Sequence, residues 1–124
     1  MPPTILIIDD EKKLSGLMAR IIELEGFTVL QAATGKEGLK QLSQHNDILV
    51  ILSDVKLPDV NGVELVKTIK EQRPYAEVIN LTAYGNIPDG VKAIQNGAFN
   101  YITKGDDNER IIPLVHQAMQ KAQQ

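Results

Sequence analysis

The sequence predicts a doubly wound α/β sheet of five parallel strands and five helices. Three observations predict it. Short apolar runs alternate five times with segments whose apolar residues recur every three or four positions. The middle run, residues 48–52, is apolar throughout, as a strand covered on both faces should be. Turn-forming and charged residues close the runs, and right-handed crossovers carry each strand's far end back to the same edge.

Taken in order, Thr4-Ile5-Leu6-Ile7-Ile8 is a first strand stopped by Asp9-Asp10-Glu11. Leu14, Leu17, Met18, Ile21 and Ile22 then recur at helical spacing, with Gly26 placed for a left-handed C-terminal cap. Residues 27–32 make a second strand. Thr34-Gly35 opens a helix carrying Leu39 and Leu42, which ends near His45-Asn46-Asp47. The third strand ends on Asp54, and the loop Leu57-Pro58-Asp59-Val60-Asn61-Gly62 supplies residues with fixed or positive φ. Val63, Val66 and Ile69, with Leu65, form the inward stripe of the next helix, ended by Arg73-Pro74.

The fourth strand, residues 77–81, reads as shorter and more polar. Asn86-Ile87-Pro88-Asp89 starts a helix with Asn as cap, Pro in the first turn and an acid near the positive dipole end. Gly90 inside it costs about 1 kcal/mol relative to Ala, and Asn96-Gly97 ends it. Residues 99–103 form the last strand, followed by Lys104-Gly105. Ile111, Leu114, Val115 and Ala118 mark a final helix. Because Pro113 removes a backbone bond and crowds the preceding turn, regular helix is expected from near Ile112.

Residues 1–124 fit one domain, large enough for a single core. Thirteen basic against 16 acidic side chains give a net charge of −3, and no basic patch favours direct nucleic-acid binding. The chain has no cysteine, which removes disulfides, thiolate metal sites and cysteine nucleophiles. No apolar run approaches the roughly 20 residues of a membrane span, so a soluble, cytoplasmic protein is expected.

In such sheets ligands sit beyond the carboxyl ends of the strands, where strand order reverses. Those ends carry Asp9 and Asp10, Asp54, Thr82 and Lys104. Singly, each has an ordinary role. Asp9 and Asp10 can cap the first helix, Asp54 and Thr82 can serve a turn, and Lys104 can be a solvated lysine. Together they are harder to dismiss, because carboxylates about 4 Å apart repel by about 4 kcal/mol per pair at an effective dielectric near 20. A cation is expected among them. Lys104 supplies one, and an oxygen-only cluster suits a hard divalent ion, Mg²⁺ first. The set fits phosphoryl transfer to a carboxylate, with central Asp54 as nucleophile.

Asp9-Asp10-Glu11, Ser53-Asp54, Leu57-Pro58-Asp59-Val60-Asn61-Gly62, Leu81-Thr82-Ala83-Tyr84-Gly85 and Gly97-Ala98-Phe99-Asn100-Tyr101-Ile102-Thr103-Lys104 resemble the receiver domain of bacterial two-component response regulators. The likeness covers nearly the whole chain. It implies a flavodoxin-like strand order, 2-1-3-4-5, and a signalling switch that is not an enzyme on external substrates. By this resemblance Asp54 accepts the phosphoryl group of a phosphohistidine on a sensor histidine kinase. Asp10, Asp54 and the Lys56 carbonyl ligate Mg²⁺, with Asp9 acting mainly through water. Thr82 and Lys104 hold the phosphoryl oxygens, Thr82 and Tyr101 form the switch, and the surface of the fourth helix, fifth strand and fifth helix responds. Lys56 and Tyr84 flank the path of attacking water, which implies slow self-dephosphorylation.

The stretch from Thr82 to Lys104 is most similar to receivers of the nitrogen-regulation type, at the N-terminus of sigma-54-dependent activators. That similarity implies control of transcription through C-terminal ATPase and DNA-binding domains outside these residues, and homodimerisation on phosphorylation. One position departs from the family. Gly105 stands where proline is usual, often after a cis peptide. Without proline a cis bond costs about 2.5–4 kcal/mol, so a trans bond and a looser Lys104 are expected.

The competing reading is a degenerate receiver that binds a protein partner without phosphorylation. A nucleotide enzyme would need a glycine-rich phosphate loop where Asp9-Asp10 stands. An aspartyl-phosphate phosphatase would need a second acid two residues after the nucleophile, where Lys56 stands.

Overall fold

The computed structural model of the 124-residue chain describes residues 3–83, 85–104 and 108–124, the side chains of 108 and 109 excepted. Five strands, β1 (Thr4–Ile8), β2 (Thr28–Ala32), β3 (Ile48–Asp54), β4 (Glu77–Thr82) and β5 (Asn100–Thr103), pair in parallel in the order β2-β1-β3-β4-β5. This is the expected order, and the reversal falls between β1 and β3. Helices α1 (Lys12–Glu23) and α5 (Asn108–Ala122) cover one face. Helices α2 (Gly35–Gln44), α3 (Gly62–Gln72) and α4 (Ile87–Gln95) cover the other. Burial on both faces explains why β1 and β3 are almost wholly apolar. Among the described residues no helix is long and apolar enough to cross a membrane.

The local signals act as their chemistry requires. Thr34 caps α2 by accepting from Glu37 N, and Asn61 caps α3 through Val63 N. Asn86 caps α4 through Asp89 N. Gly26 and Gly97 take left-handed φ of +97° and +108° behind α1 and α4. The Arg73 guanidinium donates to the carbonyls of Leu42 and His45 at the end of α2 and to Ile48 at the start of β3. Gly90 earns its place in α4 by space: a Cβ there would lie 3.2 Å from the Tyr101 ring.

Four expectations change. On α1 the spacing identifies the helix but not its buried face. Ser15, Ala19 and Ile22 are buried, whereas Leu14, Leu17 and Ile21 are exposed by 45, 59 and 47%. Small side chains let α1 approach the sheet, and the large ones face outward. Helix α5 begins at Asn108 rather than near Ile112. Pro113 is exposed, so neither its ring nor its missing donor disturbs the packed face of Ile111, Leu114 and Val115. Strand β4 is polar yet six residues long and buried throughout. Gly62 does not use positive φ, as Gly26 and Gly97 do among the described residues. It is required by contact, since a Cβ would lie 2.0 Å from the Asp54 carbonyl oxygen.

Candidate functional site

The parallel sheet brings Asp9, Asp54, Thr82 and Lys104 to one edge. Asp54 is the last residue of β3 and Thr82 the last of β4, both buried. Backbone bonds lock these ends in register: Val55 N donates to Leu81 O at 2.9 Å, and Lys104 N to Thr82 O at 2.7 Å. The Lys104 ammonium donates to Asp9 Oδ2 at 2.8 Å and Asp54 Oδ2 at 3.1 Å. The other Asp54 oxygen accepts from Lys56 N at 3.3 Å. Asp9 serves a structural end as well, its Oδ1 accepting from Glu11 N at 2.9 Å, ahead of α1.

Asp10 stands exposed on the rim. With Asp54, Lys56, Asn61, Thr82 and Lys104 it borders a cleft of about 580 Å³. Asp9 faces a neighbouring hollow with Ser15, Gln31 and Glu37. Tyr101 is not in the cleft. Its ring is partly buried on the α2–α3–α4 side of the core, and its hydroxyl accepts from Asn86 N at 3.4 Å. Tyr84 and Gly105, and with them the expected trans bond and the water path, lie outside the described residues.

Burial raises the Asp54 carboxyl above its ordinary value. The Lys104 charge and hydrogen bond pull it down without offsetting that rise, and Asp9 adds repulsion. Burial also works against the Lys104 ammonium, but its bonds to the two carboxylates prevail and its pKa is raised. The lysine thus gains from the pair while the buried carboxylate is left under-compensated. Carboxylate oxygens of Asp9, Asp10 and Asp54 all lie within 4.8 Å of one another. Three acids against one ammonium, with oxygen donors only, fit a hard divalent cation such as Mg²⁺.

Two residues of the neighbourhood carry no obvious sequence signal. Asp59, read as a turn residue, accepts from Gly35 N and Lys36 N at 2.9 Å each and ties the β3–α3 loop to the start of α2. Those backbone bonds, Lys36 first, lower its pKa. Asn80 lies fully buried beneath the site in β4.

The sequence profile of the response regulator receiver domain matches residues 5–116. The transcriptional regulatory protein GlrR of Escherichia coli is 35% identical over 121 residues, 98% of this chain and 27% of that protein. The DNA-binding transcriptional regulator NtrC of Proteus hauseri is 35% identical over 114 residues, 91% of this chain and 24% of that protein. A response regulator of Burkholderia pseudomallei, solved with a phosphorylated aspartic acid, calcium ion and citrate, superposes with a TM-score of 0.85 at 30% identity, covering 98% of this chain and 71% of that one. The chain spans about a quarter of the length of these two curated relatives.

Proposed function

This chain belongs to the response regulator receiver domain family, with relatives of the nitrogen-regulation type, and we propose that it is the phosphorylation-dependent switch of a two-component system. The observation that carries this reading is the buried Asp54 carboxylate held against Lys104 and Asp9 at the reversal point of the sheet. Asp54 attacks the phosphorus of a kinase phosphohistidine. An oxygen–phosphorus bond forms, the phosphorus–nitrogen bond breaks, and the imidazole nitrogen leaves with the electron pair and takes up a proton. Lys104 is already 3.1 Å from a nucleophile oxygen and neutralises the incoming charge. Thr82 donates its hydroxyl to a phosphoryl oxygen.

Asp10, Asp54 and the Lys56 carbonyl would hold Mg²⁺, with Asp9 acting less directly, and the ion supplies further neutralisation of the phosphoryl oxygens when bound. Movement of Thr82 releases Tyr101 from Asn86, which caps α4, and so reaches the α4–β5–α5 surface. Ile87, Val91 and Ile94 are exposed on α4 and offer the face for output or homodimerisation. The reading takes residues 1–124 as one receiver unit, cytoplasmic, acting chemically only on itself. The unit controls transcription through ATPase and DNA-binding domains beyond it, a reading whose transcriptional and DNA-binding part is supported by the names of its longer relatives.

The decisive experiment is intact mass after incubation with Mg²⁺ and a small-molecule phosphodonor, beside Asp54→Asn. One phosphoryl addition that needs Mg²⁺ and is lost in the variant is expected. No addition to a folded wild type would favour the phosphorylation-independent binding module.

The exposed stripe on α1 starts one turn from the acidic edge, with Met18 between Leu17 and Ile21, and offers the kinase an apolar surface next to that edge. Leu17→Glu should slow transfer from a sensor kinase by about tenfold or more, the size of one interface anchor. Phosphorylation by the small donor should stay unchanged. Equal loss with both donors would remove α1 from the docking surface.

A further inference from the structure

Asn80 lies at the centre of β4, opposite Ser53 in the neighbouring strand, with no exposed surface. Its Nδ2 donates to Ser53 O at 3.3 Å and to Gly62 O at 3.4 Å. The Oδ1 meets no donor among the described residues. A buried amide satisfied at one end destabilises a fold relative to a fully paired group, and an apolar side chain of similar size avoids that penalty. Core packing alone therefore gives no reason for asparagine here.

The two acceptors indicate what the amide does. Ser53 O belongs to the residue immediately before the nucleophile. Gly62 O belongs to the first residue of α3, whose N–H donates to Val55 O at 2.7 Å. The amide thus bridges the two chain segments that enter and leave the loop of residues 55–61. That loop carries the Lys56 carbonyl, and the Lys56 N–H bonds Asp54 Oδ1. At its far end Asp59 ties the loop to α2. Asn80 is the attachment on the β4 side, and it joins the carboxylate's own strand to the loop's return.

We propose that Asn80 is a positioning residue, fixing the Asp54 carboxylate relative to the β3–α3 loop so that both can serve one divalent cation and one phosphoryl group. The inference rests on the switch reading above. It accounts for a polar side chain kept at a buried position against the stability of the fold. Small displacements of reacting groups carry large rate penalties, so the effect should show in cation affinity and transfer rate more than in folding.

The test compares wild type, Asn80→Leu and Asn80→Val by thermal melting, by Mg²⁺ titration followed through the amide resonances of Asp54 and Lys56, and by phosphorylation with a small donor. The proposal expects at least one variant to melt as high as wild type or higher, to bind Mg²⁺ about tenfold more weakly and to accept phosphoryl groups about tenfold more slowly. Unchanged Mg²⁺ affinity in a folded variant overturns it, and so does unfolding of both variants, which would make Asn80 structural. If wild type binds Mg²⁺ but is never phosphorylated, the switch reading fails while the titration still decides the role of Asn80. If wild type binds no Mg²⁺, both fail.

Discussion

Replacing Asp54 with Asn is expected to abolish phosphoryl addition and to raise the melting temperature of the metal-free protein by about 4 °C, the equivalent of roughly 1 kcal/mol for a domain of this size. The sign follows from the carboxyl's environment. Burial raises its pKa in the folded chain above the ordinary 3.8, so the ionised form is favoured more in the unfolded chain. Below about pH 3.8 the carboxyl is protonated in both states and exacts no penalty. As pH rises through the raised folded value, the penalty grows to its full size and persists at neutral pH. The stability advantage of Asp54→Asn should therefore open with rising pH.

Lys104 behaves in the opposite sense. Its raised pKa contributes stability below the ordinary 10.5 that is lost as pH rises through the folded value, and in the variant it keeps its 2.8 Å bond to Asp9. Added Mg²⁺ should stabilise wild type by about 2.7 kcal/mol at a hundred times its dissociation constant, and the variant by less. Melting curves across pH, with and without Mg²⁺, check all of this. A variant less stable than wild type at pH 7, together with a wild type indifferent to Mg²⁺, would sink the charged-cluster account.

The edge that gathers these charged groups was legible because a parallel sheet brings its strand ends together. Once the alternation places Asp9, Asp54, Thr82 and Lys104 just beyond apolar runs, topology does the rest. Position around a helix was not legible in the same way. The period at Leu14, Leu17 and Ile21 marks α1 as a helix, but Ser15 and Ala19 face the sheet because closeness favours small side chains there. Pro113 announces a missing donor and not whether that donor faces solvent. Asn80 contributed to reading β4 as shorter and more polar, because a polar residue within a strand gives no sign of which carbonyls lie within its reach.

Gly62 shows how closely the fold and the site share atoms, and Gly62→Ala should have the larger effect on stability. The added Cβ would lie 2.0 Å from Asp54 O and 2.7 Å from Val55 Cα, both backbone atoms that no rotamer change can clear. Either β3 or the start of α3 must move. Overpacking of this kind costs about 3 kcal/mol, enough to lower the melting temperature by about 10 °C. The displaced strand end carries Asp54, so the Mg²⁺ response should weaken in the same variant. Gly16→Ala in α1 is the matched control: beyond its chain neighbours and its own helix backbone nothing lies within 4 Å of the new Cβ, and removing a glycine from a helix should stabilise by about 0.5–1 kcal/mol. Opposite shifts in the two melting curves are expected. A Gly62→Ala protein as stable and as responsive to Mg²⁺ as wild type would mean that the junction of β3 and α3 yields without disturbing Asp54, and the tight backbone contact would lose its place in the design of the site.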